Sequence, residues 1–143
     1  MSNASKKRVL ILCTGNSCRS QMAEGIAKFL FSNQYEVFSA GTHPSHVNPY
    51  AIKVMKEIGI DISHNLSKSL NIFTDQLFDY VMTVCGNADQ RCPVFPGPYN
   101  SINWAFEDPV HAAGSEDEIL VEFRKVRDTI KRKFEQDWLK TLV

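Results

Sequence analysis

Val9-Leu10-Ile11-Leu12-Cys13-Thr14-Gly15-Asn16-Ser17-Cys18-Arg19-Ser20 joins an apolar run to a short polar loop. Four consecutive aliphatic residues without alternation predict a strand buried on both faces, the kind found in parallel sheets. The residues after the loop, Gln21-Met22-Ala23-Glu24-Gly25-Ile26-Ala27-Lys28-Phe29-Leu30, read as a helix from about Ser20 to Phe31, with Met22, Ile26, Phe29 and Leu30 on its apolar side. A strand, a tight loop and a helix in that order can turn the loop N–H groups of Thr14, Gly15, Asn16, Ser17, Cys18 and Arg19 around one tetrahedral oxyanion. The helix N-terminus adds about half a positive charge, and the Arg19 guanidinium adds a bidentate fork. Cys13 sits at the base of this loop. The thiolate is the nucleophilic form of a cysteine, and such a positive field favours it.

The same period reading extends along the chain. Glu36–Gly41 is a second strand. Asn48 caps a helix over Ala51–Ile58 that Gly59 ends, with Pro49 in its first turn. A short helix is expected over Asn71–Leu77, a third strand over Asp79–Cys85, and a loop from Gly86 to Pro98. Ile102–Phe106 is a last strand, and the capping box Ser115–Glu118 opens a terminal helix carrying Ile119, Leu120, Phe123, Val126, Ile130 and Phe134. Strands alternating with helices imply an α/β fold: a single-domain, open parallel sheet of about four strands with helices on both faces. Residues 1–6 are expected to be a disordered N-terminus or a cloning scar, and residues 7–143 one domain.

Lysine plus arginine and aspartate plus glutamate both number 16, so no global charge draws the chain to nucleic acid or to a membrane surface. No apolar stretch approaches the roughly 20 residues needed to span a bilayer. A cytoplasmic location is the expected default. The cysteines then stand reduced at rest, at 13, 18, 85 and 92. Cys85 ends the third strand as Cys13 ends the first, and neighbouring strands lie about 4.8 Å apart, within disulfide reach after a modest movement. Cys92 follows seven residues on and can reach Cys85. A small buried residue is the plain alternative for Cys85, and packing alone for Cys18. Zinc ligation by four thiolates is disfavoured by the wide intervals and by Arg19 beside them.

Asp108, held out of helical geometry by Pro109, is a candidate proton donor, with Glu107 its competitor and a surface turn the plain alternative. Ser20 can hydrogen-bond the sulfur of Cys13 or cap the helix. Asn16 can adopt the left-handed conformation such a loop needs. His43, His46, His64 and His111 show no metal-ligand spacing and read as surface or capping residues.

Cys13–Gly25 together with Val84-Cys85-Gly86-Asn87-Ala88-Asp89-Gln90-Arg91-Cys92-Pro93 resembles the thioredoxin-coupled arsenate reductases, which share their fold with low-molecular-weight protein tyrosine phosphatases. Ser39–Gly41, Val47–Pro49, Asp61–Ser63, Trp104–Pro109 and Phe123–Asp128 extend the match. The resemblance implies that Cys13 attacks arsenate held by Arg19 and the amides of residues 14 to 19, with phosphate or sulfate as mimics, while Asp108 protonates the departing hydroxyl. It implies that Cys85 then takes the sulfur of Cys13, that Cys92 takes that of Cys85, and that thioredoxin reduces the resulting disulfide, with no bound cofactor and no metal. A low-molecular-weight phosphatase is the alternative, in which water attacks the intermediate. Some relatives bind potassium at positions matching Asn16, Glu24 and Ser39 with an acidic residue. Lys68 stands at that last position, and its ammonium is expected to replace the ion.

Overall fold

The computed structural model describes residues 6–85 and 94–141. Cys92, most of the expected 86–98 loop and residues 1–5 of the expected disordered start lie outside the described residues. Four strands, β1 (Lys7–Cys13), β2 (Tyr35–Gly41), β3 (Tyr80–Thr83) and β4 (Asn100–Asn103), form one parallel sheet in the order β2-β1-β3-β4. Helices α1 (Arg19–Phe31), α2 (Pro49–Glu57) and α3 (Glu116–Thr141) complete the fold. The α/β class, the parallel sheet and its four strands are as the sequence predicts.

β1 is an interior strand, paired on both edges, and both its faces are apolar. Val9, Ile11 and Cys13 enter the core under the helices, whereas Leu10 and Leu12 enter a second cluster on the opposite face. Leu10, Ile11 and Leu12 are fully buried, each a stabilisation of about 2 kcal/mol as an upper estimate. The helical cover is unequal between the faces. All three α-helices contribute to the first core, where Trp104, Phe134 and Trp138 stack with centroids 4.9 to 5.9 Å apart. The other face is covered by a 3-10 turn at Leu70–Phe73 and by Phe78 and Phe95, whose rings lie 5.7 Å apart.

Several boundaries differ from the sequence expectation. Helix 71–77 shrinks to the turn Leu70–Phe73, because the Thr74 hydroxyl donates to the Asn71 carbonyl that a continuing α-helix would need for Asp75. β3 ends at Thr83, so Cys85 lies just beyond it. β4 starts two residues earlier than expected and ends at Asn103, yet Ile102, Trp104 and Phe106 keep alternate burial, with Trp104 N–H still donating to Thr83 O at 2.9 Å. Phe29 is 62% exposed, at the margin of the buried arc of α1 and in its last turn. The capping box forms as read: Ser115 Oγ accepts from Glu118 N–H and Glu118 Oε1 from Ser115 N–H.

β1 connects to β2 on one side and has β3 on its other side. The carboxyl end of β1 is therefore the point where strand order reverses, the usual ligand position in open parallel sheets. Cys13 occupies it.

Candidate active site

The loop after β1 wraps back over the sulfur of Cys13. Asn16 takes a left-handed conformation (φ 47°), as the sequence suggests. That turn aims its N–H at Cys13 Sγ, 3.2 Å away. Ser20, in the first turn of α1, places Oγ 2.8 Å from the same sulfur. Asn16 is fully buried, and its side chain knits the loop to the sheet: Nδ2 donates to Ser20 Oγ at 2.8 Å and to Ser39 Oγ at 2.9 Å, while Oδ1 accepts the backbone N–H of Lys68 at 2.8 Å. A backbone N–H only donates, so the Lys68 contact fixes which end of the Asn16 amide is oxygen. Ser20 Oγ receives a hydrogen from Asn16, and its own hydroxyl hydrogen is available to a Cys13 thiolate, which can only accept.

The network continues behind Asn16. Ser39 Oγ donates to Glu24, a buried carboxylate that also meets Lys28 Nζ at 2.6 Å and Lys68 Nζ at 4.0 Å. Burial pushes the Lys68 amine below its ordinary pKa, and Glu24 opposes that effect. The structure thus brings together Asn16, Glu24, Ser39 and Lys68, which in the sequence only the family resemblance joined.

Over the sulfur lies a cavity of about 380 Å³, lined by Cys13 to Gly15, Ser17 to Arg19, Ser45, His46, Asn48, Asp108, Val110 and His111. Arg19 is 3% exposed; its Nη1 donates to Phe106 O at 3.3 Å and its Nη2 to Asp108 Oδ2 at 3.2 Å. Asp108 is extended, as the following proline requires, and its Oδ1 accepts Val110 N–H at 3.0 Å, which caps the 3-10 turn Pro109–His111. One carboxylate oxygen holds the turn and the other faces Arg19. Glu107, the competitor, is exposed and outside the cavity. Cys18 is buried, and burial pushes its thiol up to about 12. It stays protonated, so its side chain packs while its backbone N–H belongs to the loop.

Cys85 is 3% exposed and shares the core cluster of Cys13. The pairing of Leu12 with Thr83 is continued by Val84 N–H donating to Leu12 O at 3.0 Å. Cys85 follows Val84, two residues past the end of the β1–β3 ladder at Thr83. His46 and His111, read from sequence as surface or capping residues, are exposed but line the cavity. No local spacing signals this, because the turns that carry them meet the loop only in three dimensions. Among the described residues, no group of three or more His, Cys, Asp or Glu is placed to hold a metal ion, and no helix is long and apolar enough to cross a membrane.

The arrangement is a cysteine sulfur beside a cavity that Arg19 and Asp108 line, and the chain as a whole is similar in sequence and fold to known proteins. The sequence profile described as low molecular weight phosphotyrosine protein phosphatase matches residues 8–143. The arsenate reductase of Shouchella clausii (strain KSM-K16) is 46% identical over 126 residues, which is 88% of this chain and 91% of that protein. An arsenate reductase solved in the phosphate binding state is 37% identical with a TM-score of 0.73, covering 94% of this chain and 98% of its own. An arsenate reductase solved in an oxidized state gives a TM-score of 0.77 at 36% identity, with the same coverage of both chains. The resemblance read from Cys13–Gly25 is borne out at the level of the family. With a profile match running from the second residue of β1 to the C-terminal residue, this chain belongs to the low molecular weight phosphotyrosine protein phosphatase family.

Proposed function

We propose that this chain reduces arsenate to arsenite with its own thiols. The observation that carries the reading is the Cys13 sulfur, held by Asn16 N–H and Ser20 Oγ at the floor of a cavity that Arg19 and Asp108 border. Solved relatives named arsenate reductases, one in a phosphate binding state and one in an oxidized state, support the same reading.

The Cys13 thiolate attacks the arsenic of an arsenate bound by Arg19 and the amides of residues 14 to 19, and Ser20 steadies the sulfur. Asp108 gives a proton to the departing hydroxyl, which leaves as water. The Cys85 thiolate then attacks Cys13 Sγ. The sulfur–arsenic bond breaks with its electron pair left on arsenic, giving arsenite and a Cys13–Cys85 disulfide. Cys92 attacks Cys85 Sγ and frees the Cys13 thiolate, and a dithiol protein of the thioredoxin class reduces the Cys85–Cys92 disulfide with two electrons. Each exchange needs a thiolate attacker with access to the right sulfur. Support for the middle step is local: Cys85 follows the end of β3, beside β1, and strands lie about 4.8 Å apart.

Hydrolysis of a phosphate monoester is the second reading, favoured by the cradle itself, because phosphate and arsenate are nearly isosteric and Asp108 serves either leaving group. Cys85→Ser and Cys92→Ser separate the two. The reductase reading expects both variants to lose thioredoxin-driven arsenate turnover and to keep hydrolysis of an aryl phosphate. Undiminished arsenate turnover in both variants overturns it.

A further inference from the structure

Gln21 is fully buried in the first turn of α1, and no step above uses it. Its Nε2 donates to Asn16 Oδ1 at 3.0 Å, to Asn16 O at 3.2 Å and to Leu66 O at 3.0 Å, and its Oε1 accepts from Asn65 Nδ2 at 3.0 Å. One carboxamide therefore ties α1 both to the left-handed residue of the cradle and to the segment leading to Lys68. The partners are unusual for a helical glutamine, which commonly points to water. Both the backbone and the side-chain oxygen of Asn16 are held by the same group.

Asn16 needs such restraint. A non-glycine residue in the left-handed region costs roughly 1–2 kcal/mol, and two contacts to Cys13 depend on it. Its N–H reaches the sulfur directly. Its Nδ2 donates to Ser20 Oγ and so holds that hydroxyl against Cys13, whose thiolate form can only accept its hydrogen. We propose that Gln21 is a positioning residue for Cys13: it fixes Asn16, and through Asn16 and Ser20 sets the hydrogen bonds that the Cys13 sulfur receives. The inference rests on Cys13 being the reacting group, and not on which oxyanion it attacks.

Gln21→Met keeps length and an apolar packing volume while deleting both donor and acceptor. The swap is neutral for neutral. The titratable and charged groups around Cys13 stay as they are: Arg19, Cys18, His46, Asp108 and His111 at the cavity, Cys85 past β3, and Glu24, Lys28 and Lys68 behind Asn16. The experiment measures Cys13 alkylation by iodoacetamide against pH, in the full chain. Loss of one net hydrogen bond to the sulfur is worth a factor of about five. Q21M is expected to react about fivefold slower at neutral pH and to reach the wild-type rate at alkaline pH. The pathway is checked by a cycle: in a Ser20→Ala background, the effect of Q21M is expected to shrink but not vanish, because the Ser20 contact is already gone and only the Asn16 N–H contact is left to lose.

A purely structural role would lower the melting temperature and leave the alkylation profile in place, and that result overturns the proposal. So does full additivity of Q21M with S20A. If Q21M does not fold, Asn65→Ala reads the same carboxamide from its partly exposed end. A slower neutral-pH rate then supports the proposal, and an unchanged profile overturns it. Wild-type arsenate turnover is measured separately, so its absence would reject the reductase reading without touching the Gln21 result.

Discussion

Gly41→Ala tests whether the sheet itself holds the loop proposed to cradle the oxyanion. Gly41 ends β2 opposite Cys13, and its N–H donates to Lys68 O at 2.8 Å. A Cβ there would stand 2.4 Å from Thr14 O and 2.9 Å from both Asn16 N and Cys13 O. All three are backbone atoms of the loop that carries the proposed chemistry, so no side-chain rotation relieves the contact. Ordinary separation requires the loop to move by about 1 Å, and a displacement of that size costs a positioned reaction about a hundredfold. Overpacking adds about 1–3 kcal/mol of instability. Gly25→Ala is the control for crowding away from the loop, since its Cβ would meet only side-chain atoms, Ile62 Cγ2 and Met55 Cε at 2.9 Å and Ile60 Cγ2 at 3.2 Å, none of them in the cradle. An alanine within a helix also recovers up to about 1 kcal/mol of propensity. Phosphate affinity by calorimetry, with Cys13 alkylation alongside, reads both variants. G41A is expected to lose phosphate affinity and alkylation rate steeply while G25A stays near wild type. Phosphate affinity in folded G41A within about threefold of wild type would refute the reasoning.

Asp108→Asn keeps an oxygen to cap Val110 N–H but cannot give up a proton, so hydrolysis of aryl phosphates with poor leaving groups is expected to fall by about 10²–10⁴; equal rates for good and poor leaving groups in wild type and variant would exclude the acid role. With the Lys68 ammonium beside Glu24, titration of turnover with potassium is expected to be flat, and strong activation would show that the amine does not replace an ion. Glu57 joins α2 to α3 through Arg124 and Arg127, and hydrogen bonding from Arg124, then Arg127, lowers its pKa to about 2. A lowered pKa in the folded state adds stability above the unfolded value near 4.5 and loses it as pH falls toward 2. E57Q is therefore expected to flatten the acid limb of the melting temperature in that window, modestly because the group is exposed.

What the sequence discloses is set by distance along the chain. The fold is legible because β1, α1, α2 and α3 each carry their own signal: an unbroken aliphatic run, a 3.6-residue period, Asn48–Pro49 and the Ser115–Glu118 box. The cradle is legible for the same reason, with Cys13, Asn16, Arg19 and Ser20 inside eight residues. Cover of the second sheet face was not legible, since Phe73, Phe78 and Phe95 follow no period and meet only when the sheet forms. Gln21 was hidden in plain view. Its partners are two carbonyl groups, an amide oxygen and Asn65, and none of these is marked by residue type. His46 and His111 became cavity residues only through the meeting of two turns. Cys85 was readable as a strand-end thiol, but the ladder stops at Thr83, and the last two residues are placed by the continuing Val84–Leu12 bond.

The identity of residue 16 shows why the cradle is built as it is. Glycine supplies a left-handed turn without steric cost, and Gly15 stands next to the position that needs one. A glycine at 16 would still present its N–H to Cys13, but it would span nothing. Asparagine accepts the strain and returns five contacts from one side chain and its carbonyl: to Ser20, to Ser39, to Lys68 and twice to Gln21. Those partners come from α1, β2 and the segment after α2. The strain at one residue is thus spread over three parts of the fold, and the sulfur at the end of β1 is oriented by all of them.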